Sequence, residues 1–344
     1  MAPRILVIRR RYLGDLVLLG AFLRNLRLHW PDAEIQVLAD AAYAEVLALN
    51  PDVNAVRSPP RSGARWPGFA WQLRRARFTH VFNFDNTEGT AVLARLTGAK
   101  FRLGLHHGGY RLKLAGCYTH AVNDPNDLHE SRPITEYYLQ ALPAAGVPIA
   151  SREVRLVPRE ADLAWLRRFV GAGGPVLLVH PGSRSAWRVW PLERFARICD
   201  LAQDELGAQV VLAGGPGDGE KIAAIRAAAK SHLFAFEQPL SVARFAALAR
   251  LSAVALCHDS GPMHVAAAVG TPVVALYGSQ NAVLFRPAGD GHILVQPSLP
   301  CTECVAPERC VRLDSYHNLC VQRNSVETVY AALRRQWERA AAAR

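Results

Sequence analysis

Uninterrupted apolar runs alternate with segments of helical character along the whole chain. Ile5, Leu6, Val7 and Ile8 stand side by side, the mark of a strand buried on both faces, and residues 4–9 are read as that strand. A helix built for the core is expected at 15–29. The alternation continues with "EIQVLAD" (34–40) as a strand, "AAYAEVLAL" (41–49) as a helix and "VNAVRS" (53–58) as a short strand. A helix near 66–77, the strand "HVFNFDN" (80–86), the helix "GTAVLARLTG" (89–98), the strand "KFRLGL" (100–105) and a helix near 133–145 complete the first half. Repeated strand–helix units predict a parallel sheet with helices on both faces.

The glycine-rich break "VGAGGP" (170–175) interrupts this rhythm, which then restarts. "VLLVHPG" is read as a strand, "PLERFARICDLAQDELG" as a helix, "AQVVLAGGP" as a strand and 219–230 as a helix. "SVARFAALARL" is a helix, "AVALCHD" a strand, "HVAAAVG" a short helix, and "PVVALYG" and "HILVQP" the last strands. The pattern predicts an α/β chain of two Rossmann-like domains, 1–165 and 175–325. A terminal helix within 326–344 is expected to cross back to the first domain. Ligands of open α/β sheets bind beyond the carboxyl ends of the strands, so the site is expected in the cleft between the two sheets.

Charge narrows the list of partners. The 344 residues carry a net charge of +11, and the excess is uneven: 57–113 holds eleven lysines and arginines against Asp85 and Glu88 alone. Such a surface concentrates anions, whether nucleic acid, an anionic membrane or a phosphorylated substrate. No nucleic-acid-binding motif accompanies the arginines, and two α/β halves do not resemble a groove reader, so nucleic acid is not expected as a partner. No run of about 18 apolar residues could span a bilayer, and the N-terminus enters a strand without a signal-like segment. A cytoplasmic location is expected.

Three strand ends in the second half carry chemistry. After "VLLV", the loop "HPGSRSAWRVWP" offers Ser183, Arg184 and Arg188; hydroxyls, backbone amides and a guanidinium together suit a diphosphate. "AGGPGDGE" lets the backbone approach a ligand at Gly215. There Asp218 either meets a ribose hydroxyl or caps a helix, and Glu220 follows. "HDSGPMHVAAAVGTP" ends a strand at Asp259, turns at Ser260 and Gly261, and sets His264 in the first turn of a small-residue helix whose amides suit phosphate. In the first half, Asp15 sits at the mouth of a helix behind Arg9, Arg10 and Arg11; by itself it reads as a helix cap.

In order and spacing, "ILVIRRRYLGDLVLLGAFLRNLR", "HPGSRSAWRVWP", "GGPGDGE" and "DSGPMHVAAAVGTPVVALYG" resemble the heptosyltransferases of glycosyltransferase family 9 over essentially the whole chain. The resemblance implies a GT-B fold, an ADP-heptose donor, a lipopolysaccharide inner-core acceptor, inversion at the anomeric carbon and no cofactor or catalytic metal. It makes Asp15 the base, and Ser183, Arg184, Arg188, Ser260, Gly261 and His264 the diphosphate site. Asp259, Gly215, Asp218, Glu220 and Leu240 are expected to contact donor sugar and nucleotide. Arg188 stands where a lysine is common, which keeps the charge but changes its geometry. The first half would bind the acceptor, with Arg61, His107, Arg111 and Lys113 facing its anionic groups, and peripheral contact with the inner membrane fits the same charge. Two alternatives share the architecture: transfer of another nucleotide-activated sugar to a lipopolysaccharide or cell-surface glycan acceptor, and a nucleotide-sugar 2-epimerase.

The spacing Cys301-x2-Cys304-x5-Cys310-x9-Cys320 is compatible with a structural zinc site, but reduced thiols packed in a loop are the expected reading. Disulfides are not expected in a reducing compartment.

Overall fold

The computed structural model describes residues 2–125, 131–236, 238–299, 310, 313–315 and 317–343. The chain divides into two compact units, 1–157 and 158–344.

In the first unit, β1 (Arg4–Ile8), β2 (Glu34–Leu38), β3 (Ala55–Arg57), β4 (His80–Asn83), β5 (Phe101–His107) and β6 (His120–Asp124) form one six-stranded sheet of order β3-β2-β1-β4-β5-β6. Every neighbouring pair is parallel, and Val7 lies beside Val37 on one side and Phe82 on the other. Ile5 to Ile8 are wholly buried because β1 is central and covered on both faces. Its Leu6 and Ile8 pack under α4 (Trp66–Arg75) and α5 (Glu88–Leu96) through Phe69, Leu73, Ala91 and Ala94. Phe22 of α2 (Gly20–His29) meets Phe82 and Phe84 edge-on, at 5.0 and 4.9 Å between ring centres.

The helix expected at 15–29 is two segments, α1 (Leu13–Leu18) and α2, meeting at Leu19. After α3 (Ala44–Leu47), the helix expected at 133–145 is only α6 (Ile134–Leu139), followed by a 3-10 turn at Pro143–Ala145. Pro143 has no N–H with which to continue an α-helix. The edge strand β6 was not legible, since "HAVND" has too few apolar residues to mark it.

The second unit starts earlier than the expected boundary. Helix α7 (Glu160–Leu166), not foreseen from the sequence and lying before the boundary expected at 165, packs on α10 (Val242–Leu251), with Arg244 4.1 Å above the Trp165 ring. Here β7 (Val176–His180), β8 (Gln209–Leu212), β9 (Phe234–Ala235), β10 (Val254–His258), β11 (Val273–Leu276) and β12 (Ile293–Val295) form a parallel sheet of order β12-β11-β10-β7-β8-β9. Between them run α8 (Leu192–Leu206), α9 (Gly219–Ala228) and α11 (Gly261–Ala268).

The final helix is α12 (Val326–Ala342). Val329, Ala332, Leu333, Trp337 and Ala340 sink into the core of the second sheet, beside Val254, Val274 and Ile293. Its apolar stripe is thus buried within the second unit. Upstream of it, the Trp190 indole N–H donates to the Asn324 carbonyl at 2.8 Å, fixing the start of α8 to the approach of α12.

Both sheets share one strand order, central strand first and then outward to each side. The direction of winding therefore reverses between β1 and β4, and again between β7 and β10. Crevices at such reversals are where open α/β sheets bind ligands.

Candidate functional site

At the first reversal, β1 delivers Arg9 and Asp15, and β4 delivers Asp85. Asp15 occupies the third position of α1 and not its cap: Tyr12 is the cap, and the Tyr12 amide donates to Asp15 Oδ2 at 2.9 Å. Asp15 Oδ1 accepts from the Arg9 guanidinium at 2.5 Å and from the Tyr138 hydroxyl at 3.3 Å. Arg9 also faces Asp85 at 3.6 Å and the ring of Tyr138 at 5.9 Å. Asp85 accepts from the Arg10 amide at 3.1 Å. Burial raises its carboxyl above the usual range, and Arg9 opposes that rise. Arg10 is turned aside to Asp40 at 2.8 Å. The result is a half-buried carboxylate, Asp15, fixed at both oxygens by a charged and hydrogen-bonded frame.

Arg9, Asp85 and Tyr138 were not among the expected site residues. Asp85 follows an apolar strand just as Asp15 does, and that signal could have found it. Tyr138 is 123 residues from Asp15 in sequence, and no local pattern announces it.

Of the expected acceptor residues, Arg111 and Lys113 lie on an exposed loop that Asn86 fastens to the end of β4. Asn86 Nδ2 donates to the Arg111 carbonyl at 3.2 Å, and its Oδ1 accepts from the Lys113 amide at 2.8 Å. His107, at the end of β5, is half-buried with its ring 4.6 Å from Tyr110. Arg61 is exposed in the segment between β3 and α4.

At the second reversal, the loop after β7 folds over the end of β10. Arg188 closes a short 3-10 turn (Ala186–Arg188), lies 4.8 Å over the Trp187 ring and reaches toward Asp259 at 3.6 Å. Asp259 is buried at the end of β10, and burial pushes its carboxyl up to about 6 against the pull of Arg188. The pair is incompletely satisfied: Arg188 Nε and Asp259 Oδ2 are both buried without a hydrogen-bond partner among the described residues. Such atoms are costly unless something completes them. Ser260 is the cap residue of α11, but its hydroxyl donates to the His258 carbonyl at 3.3 Å and does not cap the helix. Gly261 begins that helix half-exposed, and His264 is buried within it. Ser183 is half-buried and Arg184 exposed on the same loop.

His258 holds this loop in place. The Trp190 amide donates to its Nε2 at 2.9 Å, so its proton sits on Nδ1, toward the Gly182 carbonyl at 3.4 Å. Burial lowers its pKa to about 3, so it stays neutral.

Asp218 is buried within its own loop and packs against Gly182 of the loop after β7. Its Oδ2 accepts from the Gly215 amide at 3.0 Å and its Oδ1 from Lys221 at 2.8 Å, and it makes no cap bond to α9. A Cβ on Gly182 would run into this carboxylate, and one on Gly214 into its Cβ, so both positions need glycine. Glu220 is exposed on α9, Gly215 is half-buried, and Leu240 is half-buried just before α10.

Cys301 and Cys304 lie outside the described residues. Cys320 is buried, and Cys310 Sγ accepts from the Asn318 amide at 3.3 Å. Among the described residues, no cluster of three His, Cys, Asp or Glu side chains could hold a metal ion.

Comparison with known proteins accords with this layout. The model of glycosyltransferase family 9 (heptosyltransferase) matches residues 68–313. A lipopolysaccharide heptosyltransferase 3 of Escherichia coli is 24% identical over 292 residues, covering 80% of this chain and 84% of that one. The family 9 glycosyltransferase of Veillonella parvula superposes with a TM-score of 0.82 at 22% identity, over 98% of each chain. ADP-heptose lps heptosyltransferase II of Escherichia coli does so with 0.79 at 22% identity, over 98% of this chain and 99% of that one. At these identities the superpositions speak to the fold, which is the expected GT-B class of two Rossmann-like α/β units. The family model spans well over half of the sequence, and the chain belongs to glycosyltransferase family 9, the heptosyltransferases.

Proposed function

We propose that the protein transfers a heptosyl group from ADP-heptose to the inner core of lipopolysaccharide, with inversion at the anomeric carbon. The second unit binds the donor and the first supplies the acceptor site and the base. The observation that carries the donor assignment is the unfinished Arg188–Asp259 pair at the start of α11. Arg188 Nε lacks an acceptor and Asp259 Oδ2 lacks a donor. A nucleotide sugar brings both, a phosphate oxygen for the guanidinium and a hydroxyl for the carboxylate. The opening turn of α11 adds backbone dipoles that favour a diphosphate.

In the reaction, Asp15 takes the proton of the acceptor hydroxyl while that oxygen bonds to the anomeric carbon. The bond from that carbon to the diphosphate breaks, and ADP leaves with the electron pair. Arg188 and the α11 amides stabilise the charge growing on the diphosphate. Asp15 Oδ2 accepts one amide hydrogen bond, which leaves a lone pair for the incoming proton.

The test is to incubate the protein with ADP-heptose and lipopolysaccharide from a heptose-deficient strain. The expected result is ADP release together with a one-heptose gain in core mass. Conversion of the donor to an isomer without acceptor would instead establish an epimerase. Transfer only from a different nucleotide sugar would overturn the heptose assignment.

A further inference from the structure

Helices α4 and α5 cover one face of the first sheet, and their outward sides carry an unusual mixture. Trp71 is 59% exposed, and Val92 and Leu96, one turn apart on α5, are 43% and 45% exposed. Around them Arg74, Arg75, Arg77, Arg95 and Lys100 are all exposed, and between Trp66 and Lys100 Glu88 is the only exposed acid among the described residues. The basic groups are held in this face by the fold. The Arg75 guanidinium lies 5.0 Å from the Trp71 ring centre. Arg74 lies across Gly98 just after α5, where a Cβ would collide with its guanidinium. Buried Phe69, Leu73, Ala91 and Ala94 face the sheet, so the exposed apolar side chains are not needed by this core.

We propose that the α4–α5 face docks the protein on an anionic lipid bilayer. The basic residues would meet phosphate headgroups, and Trp71, Val92 and Leu96 would enter the boundary between headgroups and acyl chains, where tryptophan is favoured. No helix among the described residues is long and apolar enough to cross a membrane, so the contact is peripheral. A nucleic acid would match the charge but would leave the two aliphatic side chains of α5 uncovered; a bilayer satisfies both. The proposal rests on the lipid-linked acceptor of the preceding section only for its purpose, and no part of the site described above lies in this patch.

The experiment is sedimentation of the full chain with vesicles containing no acceptor, so that its outcome is separate from that of the transfer assay. Binding to phosphatidylcholine vesicles with 30% phosphatidylglycerol, weakened by salt, and none to pure phosphatidylcholine, is expected. Arg74→Gln, Arg75→Gln and Arg95→Gln together should weaken binding on the order of a hundredfold, at roughly fivefold per charge. The matching Lys triple should retain it. Trp71→Ala should weaken binding severalfold, including at high salt. Transfer to detergent-dispersed acceptor should be unchanged in all of these, which also shows that they fold. The proposal is overturned if the Gln triple binds vesicles as the native chain does, if Trp71→Ala has no effect, or if an oligonucleotide is bound while vesicles are not.

Discussion

The two oxygens of Asp15 are held unequally: Oδ1 by Arg9 and Tyr138, Oδ2 by one backbone amide. Asparagine keeps the size and one acceptor but cannot take a proton. Asp15→Asn should therefore lower kcat a hundredfold or more while leaving the Kd for ADP within about twofold, as read by steady-state kinetics and calorimetry. A kcat near the native value would remove Asp15 from the role of base. Asp259 makes a different prediction. Its carboxyl is raised to about 6 by burial, above the ordinary value near 4. Between about pH 4 and pH 6 the folded protein keeps a proton there that the unfolded chain has released, so stability falls as pH rises through this window. Asp259→Asn cannot ionise. Its stability relative to the native protein should improve by about 2–3 kcal/mol between pH 4 and pH 7, measured by urea unfolding. A constant difference would mean that the native carboxyl ionises at its ordinary value.

At the scale of elements, the loop between β7 and α8 matters most, because it carries Ser183, Arg184 and Arg188. It is fixed at one end by the strand and at the other by His258, which accepts the Trp190 amide hydrogen. His258 is fully buried, so its loss leaves that amide without a partner. His258→Leu should cost about 2 kcal/mol of stability in chemical denaturation, in the range for an orphaned buried donor. ADP should also bind more weakly, since Arg188 is two residues from the released amide. Unchanged denaturation would show that the loop is held by its other packing. The sequence read of this region was right about the strand, the loop and the helix that follows. It could not assign His258, because a strand-end histidine looks the same whether it faces a ligand or a neighbouring loop.

Across the whole molecule, the chain divides into two compact units, each with a strand-order reversal of its own. If the second unit alone holds the nucleotide, ADP should slow amide exchange mainly at 181–190 and 259–264. Residues 9–16 of the first unit should change little, as followed by hydrogen–deuterium exchange with mass spectrometry. Protection concentrated at 9–16 would place the nucleotide in the first unit and overturn this assignment.

Much was determined by the sequence alone. Apolar runs such as Ile5–Ile8 and Val176–Val179 declared central strands because a strand covered on both faces has no polar side to show. The strand-end loops and their charged residues were legible for the same reason: polar groups directly after a buried strand must lie at the sheet's edge. Local signals failed where segments were short or their partners distant. Edge strand β6 has little apolar content, and α12 shows an apolar stripe without saying which sheet will cover it. Only the tertiary structure decided that both sheets reverse their winding between β1 and β4 and between β7 and β10. It alone placed Tyr138 and Asp85 around Asp15, set Asp218 against Gly182 of a distant loop, and left Arg188 and Asp259 facing each other with unmet polar atoms. Strand order and side-chain partnership arise from long-range packing, which brings together residues whose separation along the chain carries no trace of it.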